Sequence, residues 1–158
     1  MCLPKWLPPM QSVSPWTEKT FEILYKIFNR DFKITKPMYG GYEVWFFPEV
    51  EDGKELIFWH LTHRSDKKTG ERLPDLRRSE RLPWARKMID NSQKPEIWAW
   101  DYREGEGKTN TYVWLKDHDF LVLMRKYKTG ERRLLTSFYI DYQHYKRKLE
   151  RKYYKRIK

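Results

Sequence analysis

Four consecutive segments after Pro95 alternate apolar and polar residues with a period of two, and this alternation constrains the fold more than any other feature. The segments read EIWAWDYREG, TNTYVWLKD, DFLVLMRKYKTG and RRLLTSFYIDY. Short breaks of Glu-Gly, Asp-His-Asp and Lys-Thr-Gly separate them. A period of two is typical of strands, and short polar breaks join antiparallel neighbours. The pattern therefore predicts an antiparallel four-stranded meander.

The same alternation gives the predicted sheet two unlike faces, because successive side chains of a strand point to opposite sides. One face carries Ile97, Ala99, Val113 and Leu115. The other carries an aromatic row made of Trp98, Trp100, Tyr102, Tyr112 and Trp114, which ends in Lys116. An open row could stack unpaired bases, as in sheet-based RNA readers, whereas a row covered by a helix would be packing. For the open case we expect Trp114 and Lys116 to bind substrate.

The segments before Pro95 add a helix and a hairpin. SPWTEKTFEILYKIFNRDF has helix-start residues and helical apolar spacing, which predicts a helix at about 16–30. Two apolar runs flank Glu51-Asp52-Gly53-Lys54, and the Asp-Gly step predicts a hairpin with strands near 42–47 and 55–62.

Further helices complete the pattern. Pro83 predicts that the stretch from Leu76 to Ile89 forms two short helical pieces rather than one helix. The basic tail QHYKRKLERKYYKRIK repeats an apolar residue every fourth position, which predicts a final helix. The element order indicates an α+β fold, with helices on one face of the antiparallel sheet. We expect a proline-rich N-terminal arm at 1–15 and a single domain at 16–158.

Composition narrows the class of partner. The chain has 158 residues, a formal net charge of +11 and 17% aromatic residues. Basic charge favours polyanions, and aromatic rings favour the bases of a nucleic acid over a membrane surface. The single cysteine, Cys2, excludes an intrachain disulfide and a cysteine-rich zinc site, and no run of eighteen apolar residues occurs. We expect a cytoplasmic protein that needs no metal and no cofactor.

The segment IFWHLTHR, residues 57–64, introduces candidate chemistry at the end of a predicted strand. RNA cleavage without a metal needs a base for the 2′-hydroxyl, an acid for the leaving 5′-oxygen and cations around the phosphate. His60 or His63 could serve as base or acid, but residues three apart on a strand face opposite sides. We favour His60 as the catalytic residue; the alternative is a structural histidine.

Other residue types required for phosphate chemistry occur on the predicted helices and strands. Arginine forks hold phosphate in a bidentate geometry, and the candidates are Arg64, Arg81 and Arg125. Hydroxyl groups of the last strand could orient it, and the candidates are Thr136, Ser137 and Tyr139. Alternation predicts that Arg133, Ser137 and Tyr139 share one face. It places Thr136 on the opposite face with Leu134, Phe138 and Ile140.

Three stretches resemble phage- and mobile-element-associated members of the barnase-EndoU-colicin-RelE-like ribonuclease superfamily. They are FWHLTHR, RSERLPWARKMIDN and YVWLKDHDFLVLMRKYKTGERRLLTSFYIDY, and with the basic tail the resemblance covers about 40–155. It implies helices before a four-stranded antiparallel sheet that carries a metal-independent RNA-cleaving site. The superfamily histidine would correspond to His60, its basic strand residue to Lys116 or Arg125, and its hydroxyl to Thr136 or Ser137.

Two functions follow as the leading hypotheses. The first is a metal-independent endoribonuclease, a toxin or phage-conflict effector acting on tRNA or mRNA and restrained by an antitoxin or immunity protein. Its catalytic set is His60, Arg64, Thr136 and Tyr139, and its substrate-binding set is Arg81, Trp114, Lys116, Arg125 and Ser137. The second is a non-catalytic RNA- or DNA-binding protein that uses the aromatic row and the basic tail. A protein-interaction domain is a third reading.

The spatial arrangement of these residues distinguishes the two hypotheses. Convergence of Arg64, Arg81 and Arg125 around His60 would favour the enzyme. An open aromatic face without a histidine would favour the binding protein.

Overall fold

The computed structural model describes residues 2–158 and has an α+β fold. Within this range five α-helices form: α1 (Glu18–Phe28), α2 (Leu56–Thr62), α3 (Leu76–Glu80), α4 (Leu82–Asp90) and α5 (Gln143–Tyr154). The strands are β1 (Met38–Tyr39), β2 (Tyr42–Trp45), β3 (Val50–Glu51), β4 (Lys54–Glu55), β5 (His63–Ser65), β6 (Arg72–Pro74), β7 (Ile97–Gly105), β8 (Lys108–Leu115), β9 (Phe120–Lys126) and β10 (Arg132–Tyr139). A π-helical turn, Asn29–Ile34, prolongs α1.

The main sheet has six strands in the order β1-β2-β10-β9-β8-β7, two more than the four that were predicted. From β7 to β10 each strand lies antiparallel to the next. The hairpin β1-β2 extends the sheet because β2 pairs in parallel with the start of β10, through Arg132 with Val44 and Arg133 with Trp45. Two separate ladders, β3-β4 and β5-β6, flank this sheet.

The predicted strand at 55–62 is wrong, because this segment forms helix α2. Ile57, Phe58 and Leu61 are buried at helical spacing, while His60 is exposed. A short apolar run fits a buried strand and a buried helix equally well, so periodicity alone could not separate them. The Asp-Gly turn itself is confirmed: Asp52 and Gly53 both have positive φ, as a two-residue hairpin turn requires.

Helices cover both faces of the sheet, which corrects the prediction of helices on one face. On the first face α1, α2 and α4 pack over a core that includes Leu24, Phe28, Phe58, Leu61, Leu82, Met88, Ile97, Val113 and Leu115. On the second face α5 places Tyr145, Leu149 and Tyr153 over Trp98, Trp100, Tyr112 and Trp114. The predicted division of the β7 and β8 side chains between two faces is confirmed. The aromatic row is covered, because the four-residue repeat of α5 supplies an apolar stripe that fits it.

A β-bulge in β10 breaks the alternation predicted for the last strand. The register with β9 shifts between Leu134 and Thr136. Leu134 therefore belongs to the first core, while Phe138 and Ile140 belong to the second. One extra residue in a strand moves every later side chain to the other face.

The first residues lie against the domain. Leu7 and Val13 are buried in the first core. The Trp84 Nε1–H donates to the carbonyl of Pro8 at 2.9 Å, and the Gln11 N–H donates to the carbonyl of Glu80 at 2.8 Å. No helix in residues 2–158 combines the length and the hydropathy needed to span a lipid bilayer.

Candidate active site

A polar cleft opens where α2, β5, β6 and α3 meet. It has about 230 Å³ of open volume. The lining side chains are Trp59, His60, His63, Arg64, Ser65, Arg72 and Arg78. Two histidines and three arginines thus face one space, which we call the histidine–arginine cleft.

Both histidines reach this cleft because of the helix that replaces the predicted strand. His60 lies in the last turn of α2, and His63 follows the helix as its extended C-cap residue. Residues three apart in a helix lie on one side, whereas on a strand they would lie on opposite sides. The strand interpretation, which would have kept the two histidines on opposite faces, is therefore wrong for this segment.

His63 is buried and its tautomer is fixed by a neighbouring hydroxyl. The Thr62 hydroxyl donates to the carbonyl of Phe58 at 2.9 Å, so it accepts from the Nδ1–H of His63 at 2.8 Å. The lone pair of His63 consequently lies on Nε2. Burial, followed by the charges of Arg72 and Arg78, lowers the pKa of His63 to about 4, so the ring is neutral at pH 7.

His60 is exposed, and its ring makes no hydrogen bond with residues 2–158. Partial burial of the imidazole and the charges of Arg78 and Arg72 lower its pKa from 6.5. At neutral pH the ring is therefore mainly in the uncharged form that accepts a proton.

The backbone of His60 is held in place from two sides. Its carbonyl accepts hydrogen bonds from Arg78 Nη1 at 2.7 Å and from Thr136 Oγ1 at 3.1 Å. The last carbonyls of a helix have no hydrogen-bond partners within the helix. Arg78 and Thr136 provide these partners for the carbonyl of His60. Thr136 thus contacts His60 through the backbone carbonyl and not through the imidazole.

The three guanidinium groups of the cleft differ in how far their charge is balanced. Arg72 is fixed by Glu51 at 2.7 Å and Asp52 at 2.6 Å, and it stacks on Trp59 at 4.5 Å. Arg64, by contrast, is exposed and has no ion pair within residues 2–158.

Arg78 is intermediate between these two. Its Nε lies 3.5 Å from Asp75, but this buried atom has no hydrogen-bond partner. Burial and the nearby charge of Arg64 lower the pKa of Arg78. The Nη2 of Arg78 makes no hydrogen bond within residues 2–158, so this atom and the guanidinium of Arg64 are the donors beside His60 that a phosphate group would bind.

Two more predicted residues lie next to the cleft without lining it. Tyr139 is sandwiched between the guanidinium groups of Arg77 at 4.4 Å and Arg81 at 4.6 Å. Arg81 also donates to Glu80 at 2.7 Å. Tyr139 and Arg81 thus contact each other, but neither lines the cleft in front of His60.

None of the remaining predicted residues lines the cleft, and their surroundings argue against the predicted roles. Trp114 is fully buried under α5, so no base can stack on it in this conformation. Lys116 Nζ lies 3.9 Å above the ring of Trp98, and Arg125 Nε donates to Asn110 at 2.6 Å beside the β9-β10 turn. Ser137 is fully buried and its hydroxyl has no partner.

Of the three arginines expected around His60, the cleft therefore contains only Arg64. Arg72 and Arg78 take the other two places, and the sequence reasoning missed them. Their signal was present in the basic stretch that follows IFWHLTHR, but it depended on recognising α2 as a helix.

Comparisons of the chain with protein-family models, curated proteins and solved structures found no match.

Proposed function

We propose that the protein is a metal-independent endoribonuclease whose active site is the histidine–arginine cleft. One observation supports this most directly: the exposed, unbonded ring of His60 opens on the same cleft as the guanidinium groups of Arg78 and of Arg64, and Arg64 has no ion pair within residues 2–158. A proton acceptor beside cations is what in-line attack of a 2′-hydroxyl on its own phosphate requires.

The cleft residues take distinct roles in this proposal. Neutral His60 accepts the proton of the 2′-hydroxyl, while Arg64 and Arg78 bind the phosphate and stabilise its developing charge. Thr136 and Arg78 position His60 through its carbonyl. Because His63 is neutral at pH 7, the leaving 5′-oxygen takes its proton from solvent. Arg81 and Tyr139 contact the strand beyond the cleft.

The test is incubation of the purified protein with total RNA and a defined tRNA in EDTA. We expect fragments that end in a 2′,3′-cyclic phosphate. His60→Ala should slow their formation by about 10²- to 10⁴-fold, the usual contribution of a general base. The matched control is His144→Ala, which removes an exposed histidine on α5. Intact RNA with the wild-type protein, or equal rates in both variants, would refute the proposal.

The pH dependence gives a second test of the same site. A base must be unprotonated to act, so the rate should rise with pH through the lowered pKa of His60 and level off above it. We expect half of the maximal rate below pH 6.5. A rate that falls between pH 5 and pH 7 would assign His60 a different role.

A non-catalytic nucleic-acid-binding protein is the second candidate, and one observation favours it. The outer side of α5 exposes Arg147, Lys148, Arg151 and Lys155, none of which forms an ion pair with residues 2–158. Such a stripe attracts phosphates without reading sequence. With the aromatic row covered, binding of this kind would use the helix alone, and RNA would be retained but not cut.

We also propose a biological setting for the endoribonuclease. A toxin or conflict effector that cleaves tRNA or mRNA would act in the cytoplasm and need an antitoxin or immunity protein over the cleft. We expect controlled expression to arrest growth and His60→Ala to relieve the arrest. The resemblance to the barnase-EndoU-colicin-RelE-like superfamily stays a prediction.

A further inference from the structure

A second pocket lies on the other side of His60 and shares this residue with the histidine–arginine cleft. It has about 190 Å³ of open volume. Its lining residues are Phe47, Glu49, Leu56, Ile57, His60, Leu134 and Leu135. His60 therefore stands between a cationic space and a mainly apolar one.

The bulge of β10 and the start of α2 build this pocket. Leu135 is the extra residue of the bulge and has no register partner on β9, and with Leu134 it forms one wall. Leu56 and Ile57, in the first turn of α2, form another. The ring of Phe47, which follows β2, is 43% exposed at the rim. An apolar slot with an aromatic edge fits a flat ring better than a flexible aliphatic chain.

Glu49 gives the pocket a carboxylate, which is a hydrogen-bond acceptor. Its side chain is exposed and forms no ion pair or hydrogen bond with residues 2–158. Its backbone is fixed, because the Leu56 N–H donates to its carbonyl at 2.8 Å. The carboxylate is close enough to His60 to oppose the lowering of the His60 pKa. An ionised carboxylate can only accept hydrogen bonds, so a ligand must offer donors to it.

We propose that this pocket binds an unpaired nucleobase of the RNA strand whose phosphate lies in the histidine–arginine cleft, and that Glu49 selects bases that present N–H donors. The inference rests on the proposed function, because it takes the ligand to be RNA. Guanine offers adjacent N1–H and N2–H donors to both carboxylate oxygens. Adenine and cytosine offer one amino group each. Uracil flanks its single N–H with two carbonyl oxygens, which repel a carboxylate. The expected order is guanine first, then adenine and cytosine, with uracil last.

The test measures binding without cleavage. Four 2′-O-methyl pentanucleotides, UUXUU with X as each base, are titrated with the full-length protein and followed by fluorescence anisotropy. We expect the guanine oligonucleotide to bind about tenfold more tightly than the uracil one, within the range of a bidentate base contact. Glu49→Gln should reduce this ratio to less than about threefold, because an amide presents only one acceptor oxygen.

Two matched controls separate the pocket from general effects. Glu43→Gln removes the same charge from an exposed side chain on β2 and should leave the base preference unchanged. Phe47→Leu should weaken binding of all four oligonucleotides through lost stacking, whereas Tyr154→Leu, at an exposed ring of α5, should not.

The outcomes distinguish this inference from the proposed function. Equal binding of the four oligonucleotides, no binding of any, or a preference that persists in Glu49→Gln would overturn the inference. RNA cleavage without base preference would leave the endoribonuclease intact and remove the base pocket. A Glu49-dependent preference in a protein that cuts no RNA would establish the pocket and refute the endoribonuclease.

Discussion

Positive charge is paired on the side of the sheet under α5 but only partly paired in the cleft beside α2 and α3. Under α5 the cations have partners: Lys152 contacts Glu104 at 3.0 Å and Tyr112 at 2.7 Å, and Lys146 contacts Asp119 at 2.6 Å. In the cleft Arg64 has no ion pair within residues 2–158, and the Nε of Arg78 has no hydrogen-bond partner.

The contrast separates two features that look alike in the sequence. Aromatic residues interleaved with Lys and Arg suggest a nucleic-acid surface, but those of β7 and β8 are packed under α5. Arg64, which has no ion pair within residues 2–158, lies instead on the short strand β5, outside the aromatic row. In the proposed function, ligand binding therefore depends on cations that the fold leaves accessible, not on the density of aromatic residues.

The largest test of this contrast is Trp114→Ala. Trp114 is fully buried under α5, so truncation should lower the free energy of unfolding by about 3–5 kcal/mol. Arg64→Ala, at an exposed cleft residue, should change it by less than about 0.5 kcal/mol. Urea unfolding of both variants measures the difference. A small loss for Trp114→Ala would mean that the aromatic face is open in solution.

The next test uses the pH dependence of stability, to which we expect His63 of the cleft to contribute. The pKa of His63 is about 4 in the folded protein and 6.5 when unfolded, so the unfolded chain binds more protons between these values. The contribution of neutral His63 to the free energy of unfolding should be complete above pH 6.5. About 3 kcal/mol of it should be lost as the pH falls to 4.

His63→Asn isolates this effect, because an amide can keep the hydrogen bond to Thr62 but does not titrate. Urea unfolding between pH 7 and pH 4 should show a shallower loss for the variant than for the wild type. Parallel curves would show that His63 is not held neutral by its surroundings.

The long periodic elements could be predicted from the sequence, and the cleft could not. Alternation in β7 and β8 correctly divided their side chains between two faces, because each strand has many residues that agree. The seven residues of α2 carry too little periodicity to oppose a strand interpretation. That single error separated His60 from His63.

The bulge in β10 and the pairing of β2 with β10 depend on contacts between distant parts of the chain. No local pattern marks Leu135 as the extra residue, so Leu134 and Phe138 were placed on one face. The role predicted for Arg81 followed residue type, and those predicted for Lys116 and Arg125 also followed the resemblance to the ribonuclease superfamily. Only the tertiary structure shows that Arg125 contacts Asn110 and Lys116 contacts Trp98.

A smaller effect is expected at Ser137, a residue predicted to bind substrate. Its hydroxyl is buried without a partner, which costs about 1 kcal/mol or more relative to an apolar group. Ser137→Ala should therefore raise the free energy of unfolding by about 1 kcal/mol and leave RNA affinity unchanged. Thr136→Val is the matched variant on the same strand, and it should lower stability because the His60 carbonyl loses a donor. Weaker RNA binding by Ser137→Ala would return Ser137 to the site.

The smallest expected effect is on the salt dependence of RNA binding. It discriminates best between the cleft and α5, because the salt dependence reports the number of phosphate contacts that each surface makes. For a single strand the logarithm of the binding constant falls with the logarithm of salt concentration, by about 0.7 for each phosphate contact. Arg64→Ala should reduce this slope by about one such step, whereas Arg147→Ala on the outer side of α5 should leave it unchanged. Both variants remove one exposed arginine and the same charge, so a difference between them reports position alone. If Arg147→Ala reduces the slope and Arg64→Ala does not, RNA lies along α5, and the non-catalytic binding protein becomes the better account.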